Sequence, residues 1–166
     1  MTVLGIDPGT ARTGFGVVAE DDHDQLVLVD YGVIKTPAGH ETAERLARLH
    51  SELQDLIQRY SPTEAAVERL FFQKNVSTAM QVGQARGVIL LTLTQAGLPI
   101  GEYSPQDIKL AVTGYGAADK VQMQRMVKTL LEMPELPQPD DAADALAIAI
   151  CHFHSVKLQR RLEPGT

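Results

Sequence analysis

Four carboxylates stand out by where they fall in the chain. Asp7 closes the apolar run Val3-Leu4-Gly5-Ile6 and is followed by Pro8-Gly9. Glu68 closes a second short apolar run, Ala65-Ala66-Val67. Asp141 and Asp144 stand three apart at the head of the apolar, alanine-rich stretch 142–150. Such a set offers hard oxygen ligands, which suit magnesium or manganese and not zinc, whose sites favour Cys and His. Without metal the acids would repel one another. Two bound ions of this kind can activate a water and stabilise the leaving oxygen in phosphodiester cleavage. Each acid also has a plain structural use. Asp before Pro-Gly is good turn chemistry, and acids in a first helical turn complement the helix dipole. The dipole accounts less well for Asp144 facing the same way as Asp141 inside an apolar helix.

Bringing four acids together requires strands that end side by side and a helix that covers their ends. The run 3–6 is too short for a helix and stops at a turn signal, so it predicts a buried strand carrying Asp7 at its end. Gly5 leaves room beside it, and Gly9 permits the tight turn after Pro8. Residues 14–18 predict a second strand hairpinned to the first, and 25–34 a third. Three antiparallel strands therefore open the chain. The clearest helix is expected over 41–60, where Leu46, Leu49, Leu53, Leu56, Ile57 and Tyr60 keep helical spacing. Thr42 is its expected N-cap and Ser61-Pro62 its stop. A right-handed crossover would lay the strand 65–68 parallel to the first, which puts Glu68 at the edge that holds Asp7.

Residues 69–75 read as a loop that exposes Phe71 and Phe72 beside Lys74. A long, mostly apolar helix follows over 76–96. Its Gly83 and Gly87, four apart, suit tight helix packing within the fold or in a dimer. A strand over 98–103 leads to Ser104-Pro105, an N-cap and N1 pair that opens a helix through Val112. A glycine-rich loop at 114–118, a helix over 119–131 and a Pro-rich connector at 133–139 come next. The last helix starts at Asp140 or Asp141 and runs to about Val156, its alanines allowing a close approach to the sheet. The domain is expected to occupy 1–156, with a flexible basic tail over 157–166.

The bulk numbers narrow the class. With 166 residues the chain holds one domain with a full core. Its apolar runs are far too short to span a membrane, no signal peptide is legible, and the single Cys151 suits a reducing cytosol, so a cytoplasmic location is expected. The net charge of −6 arises entirely within 20–64, where ten acids face four bases. Elsewhere charges balance, and setting the four acids aside leaves a basic remainder able to face a polyanion. His152 and His154 are two apart on a helix and face different ways, so both read as structural. No serine has a glycine elbow, and neither a P-loop nor a dinucleotide fingerprint is present.

Taken together, GIDPG (5–9), VE followed by FxxKN (67–75), GQARG (83–87) and DAADALAIAI (141–150) resemble the RuvC family of Holliday-junction resolvases, over nearly the whole chain. The resemblance implies an α/β architecture, the ribonuclease H-like fold, a mixed five-stranded sheet flanked by helices. It implies a bacterial, cytosolic homodimer that uses one or two Mg²⁺ or Mn²⁺ per active site. Such a dimer cuts two strands of a four-way DNA junction symmetrically and works with a RuvA–RuvB branch-migration complex. Carried over by position, Asp7, Glu68, Asp141 and Asp144 are the catalytic and metal-binding acids. DNA contacts are expected at Phe71, Phe72, Lys74, Arg86, Lys109 and Lys120. Phe71 matches the aromatic near the junction centre, and Phe72 is expected to anchor in the core.

Two other readings start from the same residues. The opening Ile-Asp-Pro-Gly-Thr-x-x-Thr-Gly resembles the phosphate loop of actin-like ATPases, but those need two lobes and a second acidic glycine loop that this chain lacks. A non-catalytic, structure-specific nucleic-acid-binding module on the same fold would have little reason to keep all four acids.

Overall fold

The protein is described here from a computed structural model, covering residues 1–69 and 76–162. Phe71, Phe72 and Lys74 lie outside the described residues.

The chain opens with three strands, β1 (Thr2–Asp7), β2 (Arg12–Glu20) and β3 (Leu26–Lys35). They pair antiparallel in sequence order, as their alternating pattern predicts. Helix α1 (Thr42–Tyr60) then crosses over to β4 (Glu64–Glu68), which lies parallel to β1. Helix α2 (Val76–Gln95) crosses to β5 (Ile100–Tyr103), parallel to β4. The sheet order is β3-β2-β1-β4-β5, the expected mixed five-stranded sheet. Three helices complete the chain: α3 (Pro105–Thr113), α4 (Lys120–Leu130) and α5 (Asp140–Leu162).

The two faces of the sheet bury separate cores. On one face Leu4, Ile6, Val17 and Val67 pack with Leu49 and Leu53 of α1 and Ile89 and Leu93 of α2. On the other, Val3, Val18 and Ala66 pack beneath α5 and the α3–α4 pair. Helix α5 is buried along most of its length and approaches the sheet closely because glycine lies beneath it. A Cβ at Gly5 would overlap the carbonyl oxygen of Ala145, and one at Gly14 would overlap that of Asp141. Small residues on both partners let backbone meet backbone, so the first turn of α5 touches the sheet beside the end of β1.

Local chemistry sets the shorter helices. Ser104 caps α3 reciprocally with Asp107, with Pro105 at the first helical position. Asp119 and Gln122 do the same for α4.

Two expectations need correction. Thr42 is the first residue of α1, not its cap. Glu41 occupies the cap position with extended backbone and makes no side-chain cap bond. The last helix, expected to run to about Val156, continues unbroken to Leu162. Lys157 supplies part of the reason: its ammonium pairs with Glu20 and donates to the carbonyl of Asp24 at 3.0 Å, tying this turn to the sheet.

Candidate active site

The parallel register matches Ile6 with Val67, so the next residues, Asp7 and Glu68, end side by side. On the other flank of β1, Asp7 is paired with Gly14, over which the backbone of Asp141 sits. Asp144, one turn along α5, shares the helix face of Asp141. All four acids predicted from the sequence thus meet at one sheet end, and all four are partly buried.

Their electrostatics record the crowding. Burial first, then repulsion from Glu68, Asp144 and Asp141, pushes the Asp7 carboxyl from an ordinary 3.8 to about 8, with Lys120 acting in the opposite sense. Glu68 is raised by burial and by Asp144, against the pull of Lys109. Burial also raises Asp144, opposed by Lys120 and reinforced by Asp140 and Asp141. Among the described residues, no three acid, histidine or cysteine side chains are gathered closely enough to form a finished coordination cage. Burial and the negative field that the acids share, only partly offset by Lys120, together drive Asp7 high. The donor set is all oxygen, so the residues present fit a hard divalent ion.

Two lysines face the acids. A cleft of about 250 Å³ runs from Glu68 and Asp144 to Lys109 of α3 and Lys120 of α4, floored by Ile108, Met123 and Ile148. Lys120 is held by Asp140, 2.7 Å from its ammonium, and this hydrogen bond is the main reason its pKa is raised. Gln124 donates to the other Asp140 oxygen at 2.9 Å. Asp140 therefore aims Lys120 and stands apart from the other acids.

Arg86, expected on the DNA, has partners within the fold. Its Nε donates to the backbone carbonyl of Glu68 at 3.2 Å, and its guanidinium pairs with Glu102 on β5. It ties α2 to the strand end that carries Glu68. Sequence reasoning missed this because Glu102 lies sixteen residues away on another element. It also missed Gly14 as the contact point of α5, although glycine at every second position, Gly14 and Gly16, was a legible sign that something presses on that face.

The two histidines are structural, as their positions on α5 suggested. His152 is buried, bonded to Glu64 at 2.6 Å and to the Tyr103 hydroxyl at 2.8 Å. His154 contacts the carbonyl of Ala111 through Nδ1 at 2.8 Å. Cys151 is buried as well, and burial pushes its thiol up to about 12, which makes it inert.

A family model described as crossover junction endodeoxyribonuclease RuvC matches residues 3–152. The chain belongs to the RuvC family. A RuvC crossover junction endodeoxyribonuclease of Roseiflexus sp. (strain RS-1) is 58% identical over 162 residues, covering 98% of this chain and 96% of the relative. The solved structure of Thermus thermophilus RuvC superposes with a TM-score of 0.88 at 36% identity, covering 96% of this chain and 97% of that one. The same protein solved in complex with a Holliday junction substrate gives a TM-score of 0.91 at 36% identity, with 96% of each chain covered. RuvC proteins are divalent-metal-dependent nucleases of the ribonuclease H-like fold. A full-length match to a nuclease family leaves the ATPase and non-catalytic readings without support.

Proposed function

We propose that this chain resolves four-way DNA junctions by metal-dependent hydrolysis at the sheet end formed by Asp7, Glu68, Asp141 and Asp144. The observation that carries the site assignment is the register that ends Asp7 and Glu68 side by side, with the first turn of α5 settled over Gly14 beside them; the raised Asp7 carboxyl agrees with it. A partly buried acid cluster that nearby lysines offset only in part costs stability unless a cation or a function accompanies it.

The acids hold one or two divalent ions, Mg²⁺ or Mn²⁺. When bound, such an ion activates water and stabilises the charge that develops on phosphate oxygens. The residues around it position the substrate. Lys109 and Lys120, on the far wall of the cleft, meet the phosphates flanking the scissile one. Asp140 keeps Lys120 extended toward the cleft. Arg86 and Glu102 hold the end of β4, so that Glu68 stays level with Asp7.

Two symmetric cuts require two sites, and we assign the second to another copy of this chain. Support comes from α2, where Val76, Met80 and Leu91 are exposed along one helical face and Gly87 has open space before it. A close helix–helix contact between copies would cover that stripe. A RuvA–RuvB complex is the expected branch-migration partner, and the cytoplasm the expected location. No described helix is long and apolar enough to cross a membrane.

The test is nicking of a synthetic four-way junction during a metal titration, with wild-type protein and Asp7→Asn. Wild type should cut in Mg²⁺ or Mn²⁺ and bind without cutting in EDTA, while Asp7→Asn should bind and never cut. Cleavage unaffected by EDTA would remove the metal reading. Loss of junction binding in Asp7→Asn would make Asp7 structural.

A further inference from the structure

We propose that Arg12 and Lys35 form a second phosphate-binding site, across the acids from Lys109 and Lys120, which grips the DNA strand passing through the active site. The inference rests on the junction-cutting reading and extends it by saying where the substrate's backbone goes next.

The β2–β3 ladder places Arg12 directly opposite Lys35. Directly opposed residues of antiparallel strands project from the same face, with Cβ atoms roughly 4.5–5.5 Å apart, and like charges so placed destabilise the sheet. Both side chains are exposed. Neither enters any ion pair among the described residues. The fold thus carries a like-charged pair with no ion-pair partner among the described residues.

The face is the one that matters. Two residues beyond Arg12 on β2 is Gly14, which pairs with Asp7 and supports the backbone of Asp141. Side chains alternate along a strand, so Arg12, Gly14 and Asp7 lie on the same side of the sheet. Arg12 and Lys35 therefore sit roughly 7 Å past the acid row, on the acid face. The lysines of α3 and α4 occupy the other flank, next to Glu68 and Asp144. Cations that flank a negative cluster attract a polyanion to it and neutralise its phosphates.

The platform is also rigid. The Thr36 amide donates to the carbonyl of Ala11 at 3.0 Å, and Arg45 Nε donates to the carbonyl of Thr36 at 3.0 Å. Another Arg45 nitrogen donates to the carbonyl of Thr10. Thr36, next to Lys35, and Thr10, two residues before Arg12, are thus both held by a third basic residue from α1. Phosphate contacts of this kind fix register on the nucleic acid without reading sequence.

The experiment is the salt dependence of binding to a synthetic four-way junction in EDTA, between about 50 and 200 mM salt. Wild type, Arg12→Ala, Lys35→Ala, the double variant, and the charge-keeping Arg12→Lys and Lys35→Arg are compared. Each alanine should flatten the slope of log affinity against log salt by about one unit, and the double variant by about two. The charge-keeping variants should hold the wild-type slope. Melting temperatures of the alanine variants should stay level or rise, because a like-charge pair is relieved. A wild-type slope in the double variant overturns the proposal. So does an affinity loss that comes with early melting and that the charge-keeping variants share, since the pair would then be structural. A wild type that does not prefer the junction to a linear duplex would sink the junction-cutting reading and this inference with it. A wild type with that preference, beside an unchanged double-variant slope, sinks this inference alone.

Discussion

Helix α5 buries two polar clusters against the same face of the sheet, three turns apart, and the fold treats them differently. Toward its middle, His152 joins Glu64 at 2.6 Å and Tyr103 at 2.8 Å, and packs edge-on to the Tyr103 ring. The polar atoms of that cluster have partners within the protein. At its N-terminal turn, Asp141 and Asp144 face Asp7 and Glu68, and the protein supplies more negative charge and few nearby cations. Burial of a polar group is tolerable when it is hydrogen-bonded and costly when it is charged and alone. The satisfied cluster is therefore part of the scaffold. The unsatisfied one is the site at which we propose that a divalent cation binds.

The sharpest way to break the comparison is at Asp7. Asp7→Asn should abolish junction cleavage, read as nicked product over time, while metal-free thermal stability rises by roughly 1–3 kcal/mol through relief of repulsion. A clear fall in melting temperature would mean that the acid cluster, like the histidine cluster, is a structural network.

The opposite response is expected at the satisfied cluster. His152→Ala should lower stability by roughly 2–4 kcal/mol, measured by chemical denaturation, because it empties a buried site and leaves Glu64 and Tyr103 unpaired. Cleavage per folded molecule should persist. A cleavage defect without instability would move His152 into the active site.

A pH titration of stability should separate the clusters without mutation. The Asp7 carboxyl is raised in the folded state, from 3.8 to about 8, and Glu68 and Asp144 shift in the same direction. For an acid raised on folding, the native state binds the extra proton between the unfolded and folded values. Its stability contribution is complete below about pH 4 and is lost as the pH rises toward 8. In EDTA, stability should therefore decline across that window, by at most about 1.4 kcal/mol per pH unit from Asp7. Saturating Mg²⁺ should flatten the decline, since a bound cation stabilises the ionised acids. Denaturation midpoints with and without metal give the answer, and identical curves would show that no ion joins the cluster.

The smallest stability effect is expected at Lys120. Its pair with Asp140 is solvent-exposed, so Lys120→Ala should cost under about 1 kcal/mol. Junction affinity should nonetheless fall, with a salt slope flatter by about one unit. An unchanged slope would make Lys120 a neutraliser of the acids alone.

Much of this arrangement was legible in the sequence because it is local. A short apolar run ending in a carboxylate is a strand with an acid at its tip, and Ser104-Pro105 with Asp107, or Asp119 with Gln122, is a helix start wherever the chain goes. Adjacency in sequence, periodicity of two or 3.6 and hydrogen bonds across three residues need no tertiary contact to operate. Other features depend on which residues meet across long separations. The guanidinium of Arg86 reaches Glu102 and the carbonyl of Glu68, His152 finds Glu64 eighty-eight positions away, and Lys157 ties its turn of α5 to Glu20 and Asp24, past the expected helix end near Val156. Arg12 and Lys35 are ordinary surface cations until the β2–β3 register sets them face to face beside the acids. Residue type and spacing determined the candidate acids and the elements that carry them. Only strand order, register and the depth to which α5 settles on Gly5 and Gly14 decided that the acids converge, because close packing fixes relative positions that chain connectivity leaves open.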